Sequence, residues 1–137
     1  MAAIGYIGLG NMGGALARRL LAKRSIHVND LDRGAVQKHV KLGGIAEASP
    51  AALAKKCDII LMCLPTSNEV RQVIFGKGGI LEGAKPGTLL VDQTTGNPMA
   101  TRQMAGELKK RKIDLIDAPV SGGVAGAEAG NIAIMVG

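Results

Sequence analysis

Apolar residues in this chain gather in short runs: "AAIGYIG", "IHVND", "CDIILMCL", "TLLVD", "IDLID" and finally "NIAIMVG". Several runs are nearly continuous rather than alternating. That pattern predicts strands buried on both faces, as in a parallel sheet. Helical spacing lies between them. Met12, Leu16 and Leu20 recur every fourth residue, with Arg18, Arg19 and Lys23 as polar companions. Ser49-Pro50 reads as an N-cap followed by a first-turn proline. Thr66 with Glu69 three residues on reads as a capping box, and Val70, Val73 and Ile74 form the buried face behind it. Asn97-Pro98 opens another helix, with Ala100, Met104 and Leu108 as its stripe. Strand and helix alternating in this way predict a doubly wound α/β sheet. "GGVAGAEAG" connects the last two strands and is short for a helical crossover. The final strand is therefore free to run antiparallel. No linker, repeat or low-complexity segment interrupts the pattern, so residues 1–137 read as one domain.

Composition narrows the function. The 137 residues include 47% hydrophobic ones but only 1% aromatics. Ile, Leu, Val, Ala and Met must therefore build the core, and base stacking on aromatics is unavailable for binding nucleic acid. The net charge of +6 is scattered. Its densest run, Lys109 to Lys112, falls where a helix should end, and cations there complement the helix dipole. This reads as a solvated helix end rather than a nucleic-acid patch, although a basic surface also attracts an anionic cofactor. Cys57 and Cys63 bracket one strand and would stand up to about 20 Å apart. A bridge needs Cα atoms within about 7 Å, so they read as packing thiols in a reducing compartment, the cytoplasm. No basic leader precedes the first apolar run, and no run of about 20 apolar residues suggests a membrane span.

The candidate chemistry begins at "GLGNMG". Gly8, Gly10 and Gly13 have the spacing G-x-G-x-x-G, after a strand pattern and at the start of a helix pattern. Gly8 permits a tight turn, Gly10 lets the backbone approach a pyrophosphate, and Gly13 lets helix and strand pack closely. The Asn11 and Met12 N–H groups then face the phosphates at the helix N-terminus. Asp30 ends the second strand, twenty positions beyond Gly10. Its carboxylate suits both hydroxyls of an adenosine ribose and repels a 2′-phosphate, which favours NAD over NADP. Arg33, on the following helix, keeps NADP open. The fold expected is thus a Rossmann-like, mostly parallel doubly wound sheet. Cys63-Leu64-Pro65 and "DQTT", Asp92 to Thr95, sit at strand carboxyl ends, where such sheets bind ligands. The Thr94 and Thr95 hydroxyls would contact the nicotinamide ribose or amide, or else cap the helix near Pro98. "DAPVSGG", Asp117 to Gly123, is a poor way to continue a strand or helix. It is suited to presenting backbone N–H groups and a hydroxyl to a small anion.

The pieces "IGYIGLGNMG", "LPTS", "EGAKPGTLLVDQTT", "DAPVSGG" and "GNIAIMVG" resemble the N-terminal NAD-binding domain of the β-hydroxyacid dehydrogenases. That family includes 3-hydroxyisobutyrate dehydrogenase and 2-hydroxy-3-oxopropionate reductase, and the resemblance extends to the NAD-binding domain of 6-phosphogluconate dehydrogenase. The resemblance covers essentially the whole chain. It implies cofactor contacts at Gly8, Leu9, Gly10, Asn11, Met12, Gly13, Asp30, Leu64, Pro65 and Thr95. It implies that Ser121, Gly122 and Gly123 hold the substrate carboxylate. The implied reaction is reversible hydride transfer between a small 3-hydroxy acid and a nicotinamide ring.

Two departures stand out. Arg19 occupies a position where the family carries asparagine, which bears on the packing of the first helix. The family also continues into a long helix, which carries the catalytic lysine, and an all-helical second domain. No lysine up to Gly137 matches that position, so no catalytic and no metal-ligating residue is assigned. The chain alone is expected to be inactive. The partner expected is the helical half or a second copy in a homodimer. A stand-alone, non-catalytic dinucleotide-binding module or sensor that needs a partner chain is the alternative. Recruitment of Lys77 or His27 as a new base is a weaker one, since His27 reads as part of a strand.

Overall fold

The computed structural model describes residues 2–121, 123–130 and 133–134. Six strands form one parallel sheet: β1 Ile4–Ile7, β2 His27–Asn29, β3 Ile45–Ala46, β4 Ile59–Met62, β5 Leu89–Asp92 and β6 Asp114–Asp117. Their order is β3-β2-β1-β4-β5-β6, with every neighbouring pair parallel. The strand order reverses direction between β1 and β4, which is where a doubly wound sheet opens a ligand crevice. Strand β3 escapes the sequence pattern because it is a two-residue, exposed edge strand.

Helices cover both faces. On one lie α1 Asn11–Leu21, α2 Arg33–Val40 and α6 Gly123–Ala129. On the other lie α3 Pro50–Lys56, α4 Ser67–Phe75 and α5 Pro98–Lys109. The strand alternation decides which core each residue joins. Tyr6 and Leu61 pair in register and pack toward the α1 side, whereas Ile7 and Met62 pair and pack toward the α3–α5 side. Leu53, Val70, Ile74, Met104 and Leu108 fill the latter core without measurable exposure. Burial of a side chain of this size contributes roughly 1.5–3 kcal/mol. Gly5 in β1 is needed for this closeness, since a Cβ there would lie 2.4 Å from Leu53 Cδ2.

The helix starts follow the expected chemistry. Ser49 accepts from the Ala52 N–H, and Asn97 accepts from the Met99 and Ala100 N–H groups. Thr66 accepts from the Asn68 N–H and donates to Glu69. In α1 the most buried stretch is Gly13 to Ala17, while Met12 and Leu20 are only half-buried. Small residues bring the helix axis closer to the sheet than a leucine stripe would. Arg19 lies against Gly130, where a Cβ would come 2.6 Å from its guanidinium, so the atypical residue has a neighbour beyond α6.

The C-terminal segment departs from expectation. "GGVAGAEAG" is not a plain connector: Gly123–Ala129 form α6, which packs against α1 through Ala127 and an Arg18–Glu128 ion pair at 2.9 Å. A seven-residue helix fits where a longer crossover does not. "DAPVSGG" likewise contains a strand, β7 Val120–Ser121, which pairs antiparallel with β8 Ala133–Ile134. This pair is a separate small sheet rather than an added strand of the main one. Antiparallel pairing at the end of the chain is thus present, in a different place from that expected.

Candidate functional site

The carboxyl ends of β1, β2 and β4 open into a cleft of about 1210 Å³. Gly8, Gly10, Asn11, Met12 and Gly13 line one wall, with Asp30 and Arg33 beside them and Leu64 and Pro65 opposite. Backbone bonds align these ends. The Gly8 N–H donates to Asn29 O at 3.1 Å, and the Cys63 N–H to Ile7 O at 3.1 Å.

The three glycines do different work. Gly8 has φ +98°, in the region that favours glycine, and a Cβ there would lie 2.2 Å from Cys63 O. Gly13 abuts the loop itself, since its Cβ would lie 2.0 Å from Gly8 O. A Cβ at Gly10 would meet nothing within 4 Å, and Gly10 is exposed at the cleft. The chain therefore leaves open space at the point where a phosphate would approach the backbone. Among α1 to α5, α1 alone starts without a side-chain cap, and its first turn carries no acidic residue. Its first N–H groups and positive dipole end are thus available to an anion. The residues present fit a dinucleotide.

Asp30 sits just past β2 and is half-buried. Its Oδ2 accepts from the Leu9 N–H at 2.6 Å and its Oδ1 from the Asp32 N–H at 2.8 Å. Leu9 itself does not line this cleft. Its side chain is 4% exposed in the core under α1, so it reaches the site only through its backbone bond to Asp30. Asp32 caps α2 by accepting from the Gly34 and Ala35 N–H groups.

Opposite the glycine loop, a hydrogen-bonded brace holds the β4 and β5 ends together. The Leu64 N–H donates to Thr94 Oγ1 at 3.0 Å, and the Thr94 N–H to Asp92 Oδ1 at 3.0 Å. Tyr6 OH donates to Gln93 Oε1 at 2.5 Å, tying in β1. Neither Thr94 nor Thr95 caps α5, because Asn97 does. Thr94 is a buried brace, and Thr95 is exposed. Burial chiefly raises the Asp92 carboxyl above the ordinary aspartate range. Its Thr94 hydrogen bonds oppose that shift and Asp117 adds to it. Burial, then the Asp92 charge, pushes the Cys63 thiol up to about 11. Cys57 is pushed up to about 12, mainly by burial, then by Glu47 and Asp58. Both cysteines are free and carry neutral thiols near pH 7.

The remaining candidates separate clearly. Thr95, Ser121 and Gly123 do not line the cleft. Ser121 is exposed in β7, Gly123 has φ +69° at the start of α6, and Gly122 lies outside the described residues. Lys77 does line the cleft, next to Gly78 and Gly79. His27 does not; its Nδ1 lies 2.7 Å from Glu47 Oε2 within β2. On the far wall beside Lys77, sequence reasoning missed Gln72, Val73, Gly78 and Gly79. Val73 was legible only as an apolar helix position. The signal that it faces a cleft is its half-burial beside fully buried Val70 and Ile74. No helix among the described residues is long and apolar enough to cross a membrane.

Known proteins share this architecture. The chain is 38% identical over 135 residues to the mitochondrial 3-hydroxyisobutyrate dehydrogenase of Bos taurus, covering 98% of this chain and 40% of that protein. It is 42% identical over 135 residues to the 2-(hydroxymethyl)glutarate dehydrogenase of Eubacterium barkeri, covering 98% and 45%. The 3-hydroxyisobutyrate dehydrogenase of Mycobacterium tuberculosis, solved with L-serine, superposes with a TM-score of 0.91 at 31% identity. That match covers 100% of this chain and 46% of the other. The chain thus spans less than half the length of these relatives. Residues 3–137 match the family model described as the NAD binding domain of 6-phosphogluconate dehydrogenase. With its glycine loop, strand order and cleft in agreement, the chain belongs to that family of NAD-binding domains.

Proposed function

We propose that residues 1–137 form one dinucleotide-binding domain that serves an oxidoreductase of the 3-hydroxyisobutyrate dehydrogenase type. The single observation that carries this reading is the uncapped start of α1 beneath the open space at Gly10, with Asp30 at its side. Asn11 and Met12 N–H groups bind the pyrophosphate, Asp30 accepts from the adenosine ribose, and Leu64-Pro65 forms the opposite wall. Asp30 makes NAD the preferred form; among the described residues, exposed Arg33 is the one cleft cation on that side available to a 2′-phosphate. Bound NAD would supply the hydride acceptor for a small 3-hydroxy acid.

Ser121, Gly122 and Gly123 are the proposed carboxylate contacts, with Thr95 toward the nicotinamide. This rests on the motif resemblance and on the names of the relatives. The proton that accompanies hydride transfer must go to a base, and no residue of this chain is assigned that role. A positioned base contributes about 10²–10⁴-fold. The chain therefore works with a helical half or another subunit. Exposed Met99, Val124 and Ile134 support a docking requirement of that kind. Two free cysteines suit a reducing compartment such as the cytoplasm.

Fluorescence titration with NADH and NADPH, followed by assays with 3-hydroxyisobutyrate and glycerate, tests the reading. It expects saturable binding, tighter for NADH, and negligible turnover by this chain alone. Tighter NADPH binding would overturn the Asp30 assignment, and robust turnover would overturn the missing base. The second reading, a binding module without turnover, predicts the same binding but no gain of activity with any helical partner.

A further inference from the structure

The Asp30 carboxylate is not simply waiting for a ribose. Each of its oxygens already holds one backbone donor, the Leu9 N–H at 2.6 Å and the Asp32 N–H at 2.8 Å. Leu9 is the residue between the first two glycines of the loop, and its side chain is anchored in the core. The preceding amide, Gly8 N–H, is held by Asn29 O, the residue before Asp30. The end of β2 therefore grips the glycine loop at two successive amides, one by backbone and one by side chain. Beyond that grip, Gly10 has no packing neighbour in the direction of a Cβ. The loop has no side chain of its own there to fix the amides that follow.

We infer that Asp30 is a positioning residue for the phosphate-binding amides, in addition to accepting from the ribose. This deepens the dinucleotide reading above and rests on it. One carboxylate then links the two ends of the adenosine half-site. Its charge strengthens the bond to Leu9 and fixes the entry of α1. Its remaining lone pairs are free for hydroxyl donors. A substitution made to relieve repulsion of a 2′-phosphate consequently also loosens the pyrophosphate site. Asparagine cannot replace aspartate here, because its NH₂ would face one of two N–H donors.

The test separates the two roles with a ligand that has phosphates and no ribose hydroxyls. Calorimetry would compare ADP and 2′,3′-dideoxy-ADP binding to the wild-type chain, Asp30→Ala and Asp30→Asn, at a temperature where all three are folded. Wild type should bind NADH and both diphosphates. Asp30→Ala should weaken dideoxy-ADP by about tenfold, the scale of one charge-assisted hydrogen bond, and ADP by more. Asp30→Asn should fall between. Equal dideoxy-ADP affinity in wild type and Asp30→Ala would overturn the positioning role and leave the ribose role intact. Failure of wild type to bind NADH would instead overturn the dinucleotide reading, and this inference with it. Should the variants not fold, amide hydrogen exchange on the wild-type chain decides the matter. The Leu9 amide should be protected although it lies in a loop, and exchange at unprotected loop rates would contradict the grip.

Discussion

Two glycine-rich corners of this molecule invite comparison. The first, Gly8 to Gly14, turns β1 into α1. The second, Gly123 to Gly130, carries α6 between β7 and β8. In the first, each motif glycine is explained by a neighbour within the chain or by the open cleft. Gly8 and Gly13 would clash with backbone oxygens at 2.2 and 2.0 Å, and Gly10 faces the open space proposed for a phosphate. In the second, Gly123 has φ +69° but a Cβ there would meet nothing within 4 Å. Its glycine is required by conformation and not by any contact among the described residues. The first corner is a site assembled by the domain's own packing. The second packs one helix onto α1, and Ser121 and Gly123, proposed to touch substrate, stand outside the main cleft.

Substitutions at the packed glycines of the first corner, Gly8 and Gly13, should therefore break the fold, and one at the exposed Ser121 before the second corner should not. Gly8→Val combines strain at positive φ with a backbone clash, so a loss above about 3 kcal/mol is expected. Denaturant unfolding would show it as loss of the cooperative transition or a large fall in its midpoint. A midpoint near that of wild type would mean the corner is looser than drawn. Tyr6→Phe tests the brace behind the first corner. It leaves Gln93 Oε1, in a residue 5% exposed, without its phenol partner. The expected cost is about 1–3 kcal/mol, read as a drop in melting temperature, and no drop would mean water replaces the phenol.

A pH series probes the β5 end of the same brace. The folded chain raises the Asp92 pKa, so it holds that proton at pH values where the unfolded chain has released it. The Asp92 contribution is fully present below about pH 4 and is lost as pH rises through the raised folded value. The slope is at most about 1.4 kcal/mol per pH unit for one proton. Asp92→Asn keeps an acceptor for the Thr94 N–H but has no proton to release, so wild-type-minus-variant stability should fall with rising pH across that window. Parallel stability curves would remove the raised carboxyl from the account. Ser121→Ala should have the smallest effect, within about 0.5 kcal/mol, because the residue is exposed. A larger loss would give the small β7–β8 sheet a structural weight that it lacks here.

The same contrast explains what the sequence made legible. Continuous apolar runs gave the buried parallel strands, because β1, β4 and β5 lie between helical layers. Ser49, Thr66 and Asn97 marked helix starts because caps act within three residues. The glycine spacing located the cleft because strand, turn and helix are contiguous there. Strand β3 and helix α6 were missed for the opposite reason. Each is short, and its existence depends on residues far away: β3 on pairing with β2, α6 on packing against α1. From sequence, Thr94 reads as a ligand contact or a cap. Its actual partner, the Leu64 N–H, lies thirty residues earlier and leaves no local trace.

Gly10 distinguishes the site from the fold most cleanly, because its neighbourhood is open while its flanking glycines are packed. Calorimetric titration of NADH into the wild-type chain and Gly10→Val is the direct measurement. The account predicts saturable one-to-one binding by wild type, a variant with wild-type melting temperature, and no detectable heat of binding from it. Equal NADH affinity in the two proteins would place the phosphates elsewhere and contradict the assignment of this loop.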